Sequence, residues 1–329
     1  MFEIYDDWPN ISRRAYESNF EKIEKLDVDH IVFAGMGGSG SLGDTFASIL
    51  SQSNIHVSVV KGYHLPKTID SKSLVITTSI SGNTQETVEI LRKALKQKCS
   101  LLAISSGGKM EMFCKENNVN YRKIPEYHSP RASFGGFLYS MLNILEPIIP
   151  ISKNVVNDSL LQLKNMEENI TTKNLTNSNR ALNLAKWITG IPLIYYPWGL
   201  QSVAIRFKNS LQENSKIHTF VEDVVESSHN GIVPWEKKSN VQPILLQGED
   251  DHIKTKERWK IFQEYFESKQ IEYQIVKSPK GHILSKIINL IYLSDYCSIY
   301  KAVILGIDPS SIKPINFIKK RLTESKNNF

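Results

Sequence analysis

Short apolar runs alternate with amphipathic stretches along most of the chain. Residues 31–34, 57–60, 74–78 and 101–105 are rich in apolar and β-branched side chains. Such runs are typical of strands that are buried on both faces of a parallel sheet, with helices in the connections. The first half therefore predicts strands at these four places, and helices from the N-terminus to about residue 29 and at 42–50, 84–98 and 137–145.

The second half repeats this alternation, with strands predicted at 193–196, 217–220, 244–247 and 271–276 and helices at 200–212 and 254–267. The intervals between the first, third and fourth strands are about 43 and 27 residues in the first half and about 50 and 28 in the second. Similar intervals indicate that one α/β unit has been duplicated.

The predicted fold is an α/β protein of two similar domains, each a parallel sheet flanked by helices. The N-terminal domain is expected at 1–150 and the C-terminal domain at 181–329. Residues 151–180 are polar and rich in Asn, with leucines at helical spacing, and predict a connecting helix followed by a loop.

Composition and charge narrow the class of protein. The 329 residues are 41% apolar and 22% charged, which excludes a disordered, collagen-like or small disulfide-stapled chain. The net charge of +6 is compatible with binding to a nucleic acid, an anionic lipid surface or a phosphorylated small molecule, and also with a role in solubility alone. Because no nucleic-acid-reading module or basic amphipathic helix is recognisable, we expect neither nucleic acid nor membrane as a partner.

The cysteines and the N-terminal residues indicate in which cellular compartment the protein is expected. Cys99, Cys114 and Cys297 are isolated in sequence, which indicates neither a disulfide framework nor a zinc site. The first ten residues lack the basic-then-apolar order of a signal peptide. We therefore expect a cytoplasmic protein.

A glycine-rich turn at 35–40, Gly-Met-Gly-Gly-Ser-Gly, follows the first predicted strand and satisfies the pattern G-x-G-x-x-G. A dinucleotide site also needs an acidic residue at the end of the next strand, where this chain has Lys61. A lysine suits the 2′-phosphate of NADP, and a purely structural tight turn is a further alternative. In each case the small residues allow a ligand to approach the backbone.

The third strand runs into a loop rich in hydroxyl groups, with six Ser or Thr among residues 77–87. Hydroxyls and the free N–H groups of a following helix make a site for a phosphate monoester. Asn83 and Glu86 have the spacing of a helix cap with its reciprocal glutamate. The corresponding place in the second half carries carboxylates at 249–251, so we expect anion binding in the first half only.

Five segments together resemble the sugar isomerase (SIS) domain superfamily, and within it the bifunctional phosphoglucose/phosphomannose isomerases of archaea and some bacteria. They are Gly-Met-Gly-Gly-Ser-Gly at 35–40, Ser-Ile-Ser-Gly-Asn-Thr at 79–84, Pro-Arg-Ala-Ser-Phe-Gly at 130–135, Glu-Asn at 213–214 and Glu-Ser-Ser-His-Asn at 226–230. The resemblance implies two SIS-type αβα sandwich domains. It also implies a homodimer that interconverts aldose and ketose 6-phosphates without a metal ion or other cofactor.

The resemblance further implies which residues form the site. The sugar and its phosphate would be surrounded by Gly38, Ser39, Ser79, Ser81 and Thr84.

Four further residues would carry the chemistry. Arg131 would lie beside the reacting carbons and Glu213 would be the base. His229, donated by the neighbouring subunit, would assist ring opening. Lys319 would complete the site, although Lys320 follows it directly and the alignment leaves the choice between them open.

The residue types match what an aldose–ketose isomerisation needs: a carboxylate base, a cation for the developing oxyanion, and an acid/base for ring opening. Each candidate also has a plain structural alternative: a solvated helix-end carboxylate for Glu213, an exposed loop imidazole for His229 and a surface ion pair for Arg131.

The expected reaction interconverts glucose 6-phosphate and mannose 6-phosphate with fructose 6-phosphate. Alternatives are another SIS isomerase, acting for example on an arabinose or heptulose phosphate, a non-catalytic sugar-phosphate sensor, and an NADP-dependent oxidoreductase.

Overall fold

The computed structural model describes residues 1–325; the last residues of the expected C-terminal domain, 326–329, lie outside them. The fold contains two parallel sheets. The first comprises β1 His30–Ala34, β2 His56–Val60, β3 Ser73–Ser79, β4 Ser100–Ser105 and β5 Tyr121–Lys123. The second comprises β6 Ile191–Tyr196, β7 Phe220–Asp223, β8 Val241–Gln247 and β9 Gln274–Lys277.

Helices cover both faces of the sheets. In the first half they are α1 Phe2–Asp6, α2 Trp8–Glu17, α3 Gly37–Leu50, α4 Gln85–Ala94, α5 Gly108–Glu116 and α6 Phe134–Ile144. After these come α7 Lys153–Ile170, α8 Arg180–Trp187, α9 Gln201–Ser210, α10 Val224–Ser227, α11 Ile253–Ser268, α12 Ile283–Ile304 and α13 Lys313–Ser325. A π-helical turn, Leu211–Ser215, follows α9, and a 3-10 turn spans Val233–Glu236.

The strand orders show the predicted duplication. The first sheet has the order β2-β1-β3-β4-β5 and the second has β7-β6-β8-β9, and every neighbouring pair is parallel. Both follow the flavodoxin-like order, in which the chain changes direction of travel between the first and third strands. The predicted α/β fold with two parallel, helix-flanked sheets is confirmed.

One apolar core connects the two halves. Trp8 stacks on Tyr292 of α12 with ring centroids 5.6 Å apart, and the Tyr292 hydroxyl donates to the carbonyl of Tyr5 at 2.8 Å. α12 also packs on α7, α8, α9 and the π-helical turn. Because the core is continuous, the domain limits at residues 150 and 181 stay a prediction.

α12 is the one helix within residues 1–325 that is long and apolar enough to cross a membrane by length and composition. Its most apolar window is 89% buried inside the fold. Core helices of globular proteins satisfy the same test, so this helix is weak evidence for a membrane span.

Several elements differ from the sequence prediction. The N-terminal helix ends at Glu17 rather than near residue 29, because Ser18 adopts an extended backbone and the N–H of Ile23 then bonds to the carbonyl of Ile144. The strand predicted at 217–220 begins only at Phe220, because Lys216 takes a left-handed conformation with φ 61° as it leaves the π-helical turn. The predicted helix at 84–98 ends at Ala94.

Candidate active site

The glycine-rich turn and the hydroxyl-rich loop meet at the carboxyl ends of β1 and β3. This is the place in the first sheet where the strand order changes direction, which is where ligands bind in open α/β sheets. A Cβ on Gly35 would lie 2.9 Å from the carbonyl oxygen of Thr78, and one on Gly38 would lie 3.2 Å from that of Pro130. Gly37 has φ +53°. The small residues therefore let three chain segments approach each other.

Lys61, the residue that suits a 2′-phosphate, is already paired within the fold. Its Nζ lies 2.5 Å from the carboxylate of Asp44 on α3. Burial raises the pKa of Asp44, against the effect of the lysine. The pair joins the end of β2 to α3 and gives the lysine a structural role.

The candidate serines and threonine of the glycine-rich turn and the hydroxyl-rich loop fall into two groups by their hydrogen bonds and burial. Ser39 Oγ accepts from the N–H of Ile80 at 3.0 Å, and Ser79 Oγ donates to Thr84 Oγ1 at 3.0 Å. Ser39 and Ser79 are buried, so they hold the loop against the glycine-rich turn. Ser81 and Thr84 are half-buried in the first-half crevice, which is the space at the carboxyl ends of β1 and β3.

The predicted cap at Asn83 is wrong. Thr84 is the N-cap residue of α4 and makes no side-chain cap bond. Asn83 instead donates to the carbonyl of Ser81 at 3.0 Å and accepts from the N–H of Lys109 at 3.2 Å. The amide side chain is used to join this loop to the start of α5, so the first N–H groups of α4 keep no side-chain cap.

Arg131 and Glu213, which are 82 residues apart in sequence, form an ion pair. Arg131 Nη1 lies 2.5 Å from Glu213 Oε1, and Nη2 donates to the carbonyl of Pro309 at 2.6 Å. The Arg131 side chain is 6% exposed and that of Glu213 33%. The structure therefore brings together the predicted cation and the predicted base.

Glu213 is not at the end of a continuous α-helix. α9 ends at Ser210, and Glu213 lies in the π-helical turn that follows. Such turns are rare and occur often at functional sites, because the extra residue changes the direction of the side chains. Here the turn is fixed from behind: Asn214 Nδ2 donates to Ser298 Oγ at 2.8 Å, and Ser215 Oγ donates to the carbonyl of Ser298 at 2.6 Å.

A buried ion pair lies behind the site, and the sequence analysis did not predict it. Asp295 of α12 lies 2.6 Å from Arg206 Nη2, and it also accepts from Ser210 Oγ at 2.6 Å. The same Arg206 nitrogen donates to the carbonyl of Arg131 at 2.8 Å. One carboxylate therefore fixes both the backbone of Arg131 and the residue that precedes the turn of Glu213. Its only sequence signal is a lone acidic residue within an apolar stretch.

The segment between α12 and α13 crosses the site. Lys216 Nζ donates to the carbonyl of Glu213 at 2.6 Å and to that of Ser311 at 2.7 Å. Burial and the neighbouring Arg131 lower the pKa of Lys216. With the bond from Arg131 to Pro309, these contacts hold the segment over the ion pair.

His229 and Lys319 are exposed and belong to different elements from those that carry Arg131 and Glu213. His229 is exposed in the turn after α10, where its N–H bonds to the carbonyl of Glu226 at 2.9 Å. Lys319 is exposed on α13, together with Ile315, Phe317 and Ile318. The roles assigned to these two residues stay predictions.

Two family models match the chain in succession. The SIS domain matches residues 26–144, and the bacterial phospho-glucose isomerase C-terminal SIS domain matches residues 177–322. Each match contains one of the two parallel sheets.

Solved structures share the fold at low sequence identity. A hypothetical protein from Thermus thermophilus has a TM-score of 0.75 at 14% identity, covering 98% of this chain and 89% of its own. The C-terminal domain of glucosamine-fructose-6-phosphate aminotransferase from Francisella tularensis has a TM-score of 0.67 at 17% identity, covering 93% and 96%.

Curated relatives match over the whole chain. The bifunctional phosphoglucose/phosphomannose isomerase of Caldicellulosiruptor bescii is 30% identical over 99% of this chain and 100% of its own. That of Aquifex aeolicus is 30% identical over 89% and 90%. The D-glucosamine-6-phosphate 4-epimerase of Sulfolobus acidocaldarius is 23% identical over 98% and 97%. The chain, an isomerase with two SIS domains, belongs to the bifunctional phosphoglucose/phosphomannose isomerase family.

Proposed function

We propose that the protein interconverts glucose 6-phosphate and mannose 6-phosphate with fructose 6-phosphate, without a metal ion. The observation that carries this proposal is the Arg131–Glu213 ion pair, at 2.5 Å, beside the glycine-rich turn, where a Cβ on Gly38 would lie 3.6 Å from the N–H nitrogen of Arg131. A carboxylate and a permanent cation are the two groups that proton transfer through an enediolate requires. The names of the relatives with full coverage support the choice of substrates.

The phosphate of the substrate is assigned to the hydroxyl-rich loop. Ser81 and Thr84 are half-buried and present hydroxyl donors, and the first N–H groups of α4 add partial positive charge. Ser39 and Ser79 act as supports that fix the loop, and Gly38 leaves room beside Pro130.

The reaction begins at the open-chain sugar. Glu213 removes the proton from C2 of the aldose, the C2–H electron pair forms the C1–C2 double bond, and the carbonyl oxygen at C1 becomes an oxyanion. Arg131 stabilises that charge with its guanidinium, whose Nη1 faces Glu213. The hydroxyl proton then moves from O2 to O1, the electron pair left on O2 forms the C2 carbonyl, and the electron pair of the C1–C2 double bond takes the proton back from Glu213 at C1, which gives the ketose. Glucose and mannose phosphates share this enediolate and differ in the face of C2 that accepts the proton.

The ion pair has to open when the sugar enters. Arg131 and Glu213 neutralise each other in the ion pair, which reduces the free energy required to hold both charges in a partly buried crevice. A sugar placed between them would replace this contact with one bond to each partner.

Two further roles belong to the proposal. His229 would open the sugar ring in the site of a neighbouring subunit, which requires a homodimer, and its imidazole suits proton transfer near neutral pH. Lys319 would reach the site from α13, which follows the segment held by Lys216.

The decisive test replaces Glu213 with Gln. The amide keeps the shape but cannot take a proton, so exchange of the C1 or C2 proton with solvent, measured by NMR in D₂O, should fall by at least about 10³-fold. Binding of fructose 6-phosphate, measured by calorimetry, should survive. Glu264→Gln, at an exposed site on α11, is the matched control and should leave exchange unchanged. Near-normal exchange in the Glu213 variant would refute the assignment of the base.

A further inference from the structure

The second sheet has a cavity at the place that corresponds to the candidate active site. The cavity, of about 1070 Å³, is lined by the residues that follow β6 and β8, including Trp198 and Gly248, and by the start of α12. In the order β7-β6-β8-β9, β6 and β8 are the strands between which the chain changes direction. Ligands bind at this point of open α/β sheets, so the fold itself predicts a second site here.

The volume and the surroundings fit a small organic ligand. Ligand pockets commonly measure roughly 300–1,000 Å³, and this cavity is slightly larger than the upper limit of that range. It is separated from the candidate active site by the length of α3, because Gly38 at one end of that helix faces the active site and Ser48 near the other end lines the cavity. The two sites therefore use opposite ends of one helix.

Two histidines offer hydrogen-bond donors in the cavity. His252 Nδ1 accepts from the N–H of Lys254 at 3.2 Å, and His282 Nδ1 accepts from that of Leu284 at 3.2 Å. A ring nitrogen that accepts carries no proton, so in both rings Nε2 is the nitrogen that can donate. Burial and the nearby Lys286 lower the pKa of His282, which keeps it neutral.

The charges in the cavity argue against an anion. Its cation, Lys286, already lies 2.9 Å from the carboxylate of Asp250. Asp251 is fixed by the N–H of Gly248 at 3.0 Å and by the indole of Trp259 at 2.9 Å, which leaves a carboxylate without a compensating cation. A phosphate dianion would be repelled, whereas hydroxyl groups can donate to the carboxylates and accept from the two imidazoles.

Trp198 supplies an apolar surface beside these polar groups. Its side chain is 64% exposed, an unusual position for the largest aromatic residue, and it lines the cavity immediately after β6. The C–H face of a sugar ring packs on such an indole, while the ring hydroxyls point to polar neighbours.

We propose that this cavity is a second binding site, for a neutral polyhydroxylated ligand of the hexose or disaccharide class. The site differs from the sugar-phosphate site in its polar groups. The loop of the first half offers hydroxyls and free N–H groups, whereas the corresponding loops of the second half offer carboxylates and the Nε2 atoms of two imidazoles. The proposal does not depend on the reaction proposed above.

Methyl α-D-glucopyranoside is a suitable probe, because its closed ring cannot be isomerised. Calorimetric titration of the full chain should show saturable binding, and tryptophan fluorescence should change because Trp198 is the exposed one of the five tryptophans, all of which are described. Trp198→Ala should weaken binding by at least about tenfold, whereas Trp198→Phe, which keeps an aromatic face, should lose less than about threefold. Leu175→Ala, at an exposed apolar residue elsewhere, should bind as the unaltered protein does.

Thr84→Ala separates the two sites. The glycoside should bind this variant unchanged, because Thr84 belongs to the first-half crevice. Absence of binding to the unaltered protein, equal binding to Trp198→Ala, or loss of binding in Thr84→Ala would each overturn the proposal. Displacement of the glycoside by inorganic phosphate in the Thr84 variant would overturn the assignment of a neutral ligand.

Discussion

At the scale of single residues, Arg131 has the most consequential position in the molecule. It pairs with Glu213, donates to the carbonyl of Pro309 and, through its own carbonyl, accepts from Arg206. A guanidinium can make the first two contacts together because its donors form a planar fork, whereas a lysine ammonium is a single point of charge. The residue therefore combines charge with fixed direction.

Arg131→Lys should keep the charge and lose that direction. We expect kcat/KM with fructose 6-phosphate to fall by about 10²-fold, mostly through kcat, because the oxyanion would lose a fixed donor. Steady-state kinetics with separate detection of the two aldose products would measure the effect. Arg14→Lys, in an exposed ion pair with Asp7, should change neither parameter. A fall in the Arg131 variant confined to KM would instead point to simple substrate binding.

The limits of sequence reasoning are also visible in single residues. The pattern of apolar runs predicted the strands that bring Ser39 and Ile80 together, since parallel strands end at one edge. The resemblance placed Arg131 and Glu213 in one site but did not predict that they pair, and no periodicity relates residues 82 positions apart. The cap assigned to Asn83 was wrong because its amide bonds to a loop that is distant in sequence.

At the scale of elements, α12 determines the geometry of the site without contributing a candidate catalytic group. Asp295 and Ser298, one turn apart, hold Arg206 and the π-helical turn. The apolar pattern does not give the length of this helix, because an apolar stretch has no amphipathic period when all its sides are buried. Its polar positions could be interpreted only once their partners were known.

Asp295→Asn should destabilise the protein strongly. It would leave the buried Arg206 charge without a partner, and the loss of one member of such a pair costs about 3–5 kcal/mol of unfolding free energy. Denaturant unfolding would measure it. The double variant Arg206→Leu, Asp295→Leu should recover most of the stability but not the activity, because the carbonyl of Arg131 would still lack its donor. Recovery of both would show that the pair has no part in positioning Arg131.

Removal of α13 should reduce activity and leave the unfolding free energy almost unchanged. The side chains of this helix are exposed wherever they are described, so it buries little surface within one chain. Truncation after residue 318 should reduce kcat/KM by more than about tenfold and change the unfolding free energy by less than about 1 kcal/mol. A chain that ends after residue 322 is the control, and Lys319→Ala compared with Lys320→Ala decides between the two lysines. Full activity in the truncated chain would exclude both.

At the scale of the whole molecule, the two halves have the same strand order but different charges at the corresponding strand ends. The first-half crevice has hydroxyls, whereas the second has Asp250, Asp251 and two imidazoles. Duplication therefore preserved the geometry of a binding point while the side chains changed. The net charge of +6 suggested several kinds of partner, and the structure places one basic residue, Arg131, in the crevice itself.

Mixed dimers would test whether two subunits contribute residues to one active site. Subunits carrying His229→Ala and subunits carrying Glu213→Gln should each be inactive, and mixing them after partial unfolding should restore up to about a quarter of the activity if His229 serves the neighbouring site. Activity recovered on mixing, compared with each variant refolded alone, is the measurement. Absence of recovery, with dimers present by light scattering, would contradict donation across the interface.

The position of α12 near the end of the chain has a consequence for how the protein is made. On the ribosome, the first sheet and its helices emerge well before residues 283–304, yet Trp8 and Tyr5 complete their packing only against Tyr292 of that helix. Until α12 has been synthesised, the N-terminal half keeps an open apolar groove that a chaperone can bind. A ribosome that stops before α12 therefore releases a product with an exposed core, which the cell can recognise and degrade, and the geometry of the candidate site arises only in chains that include α12.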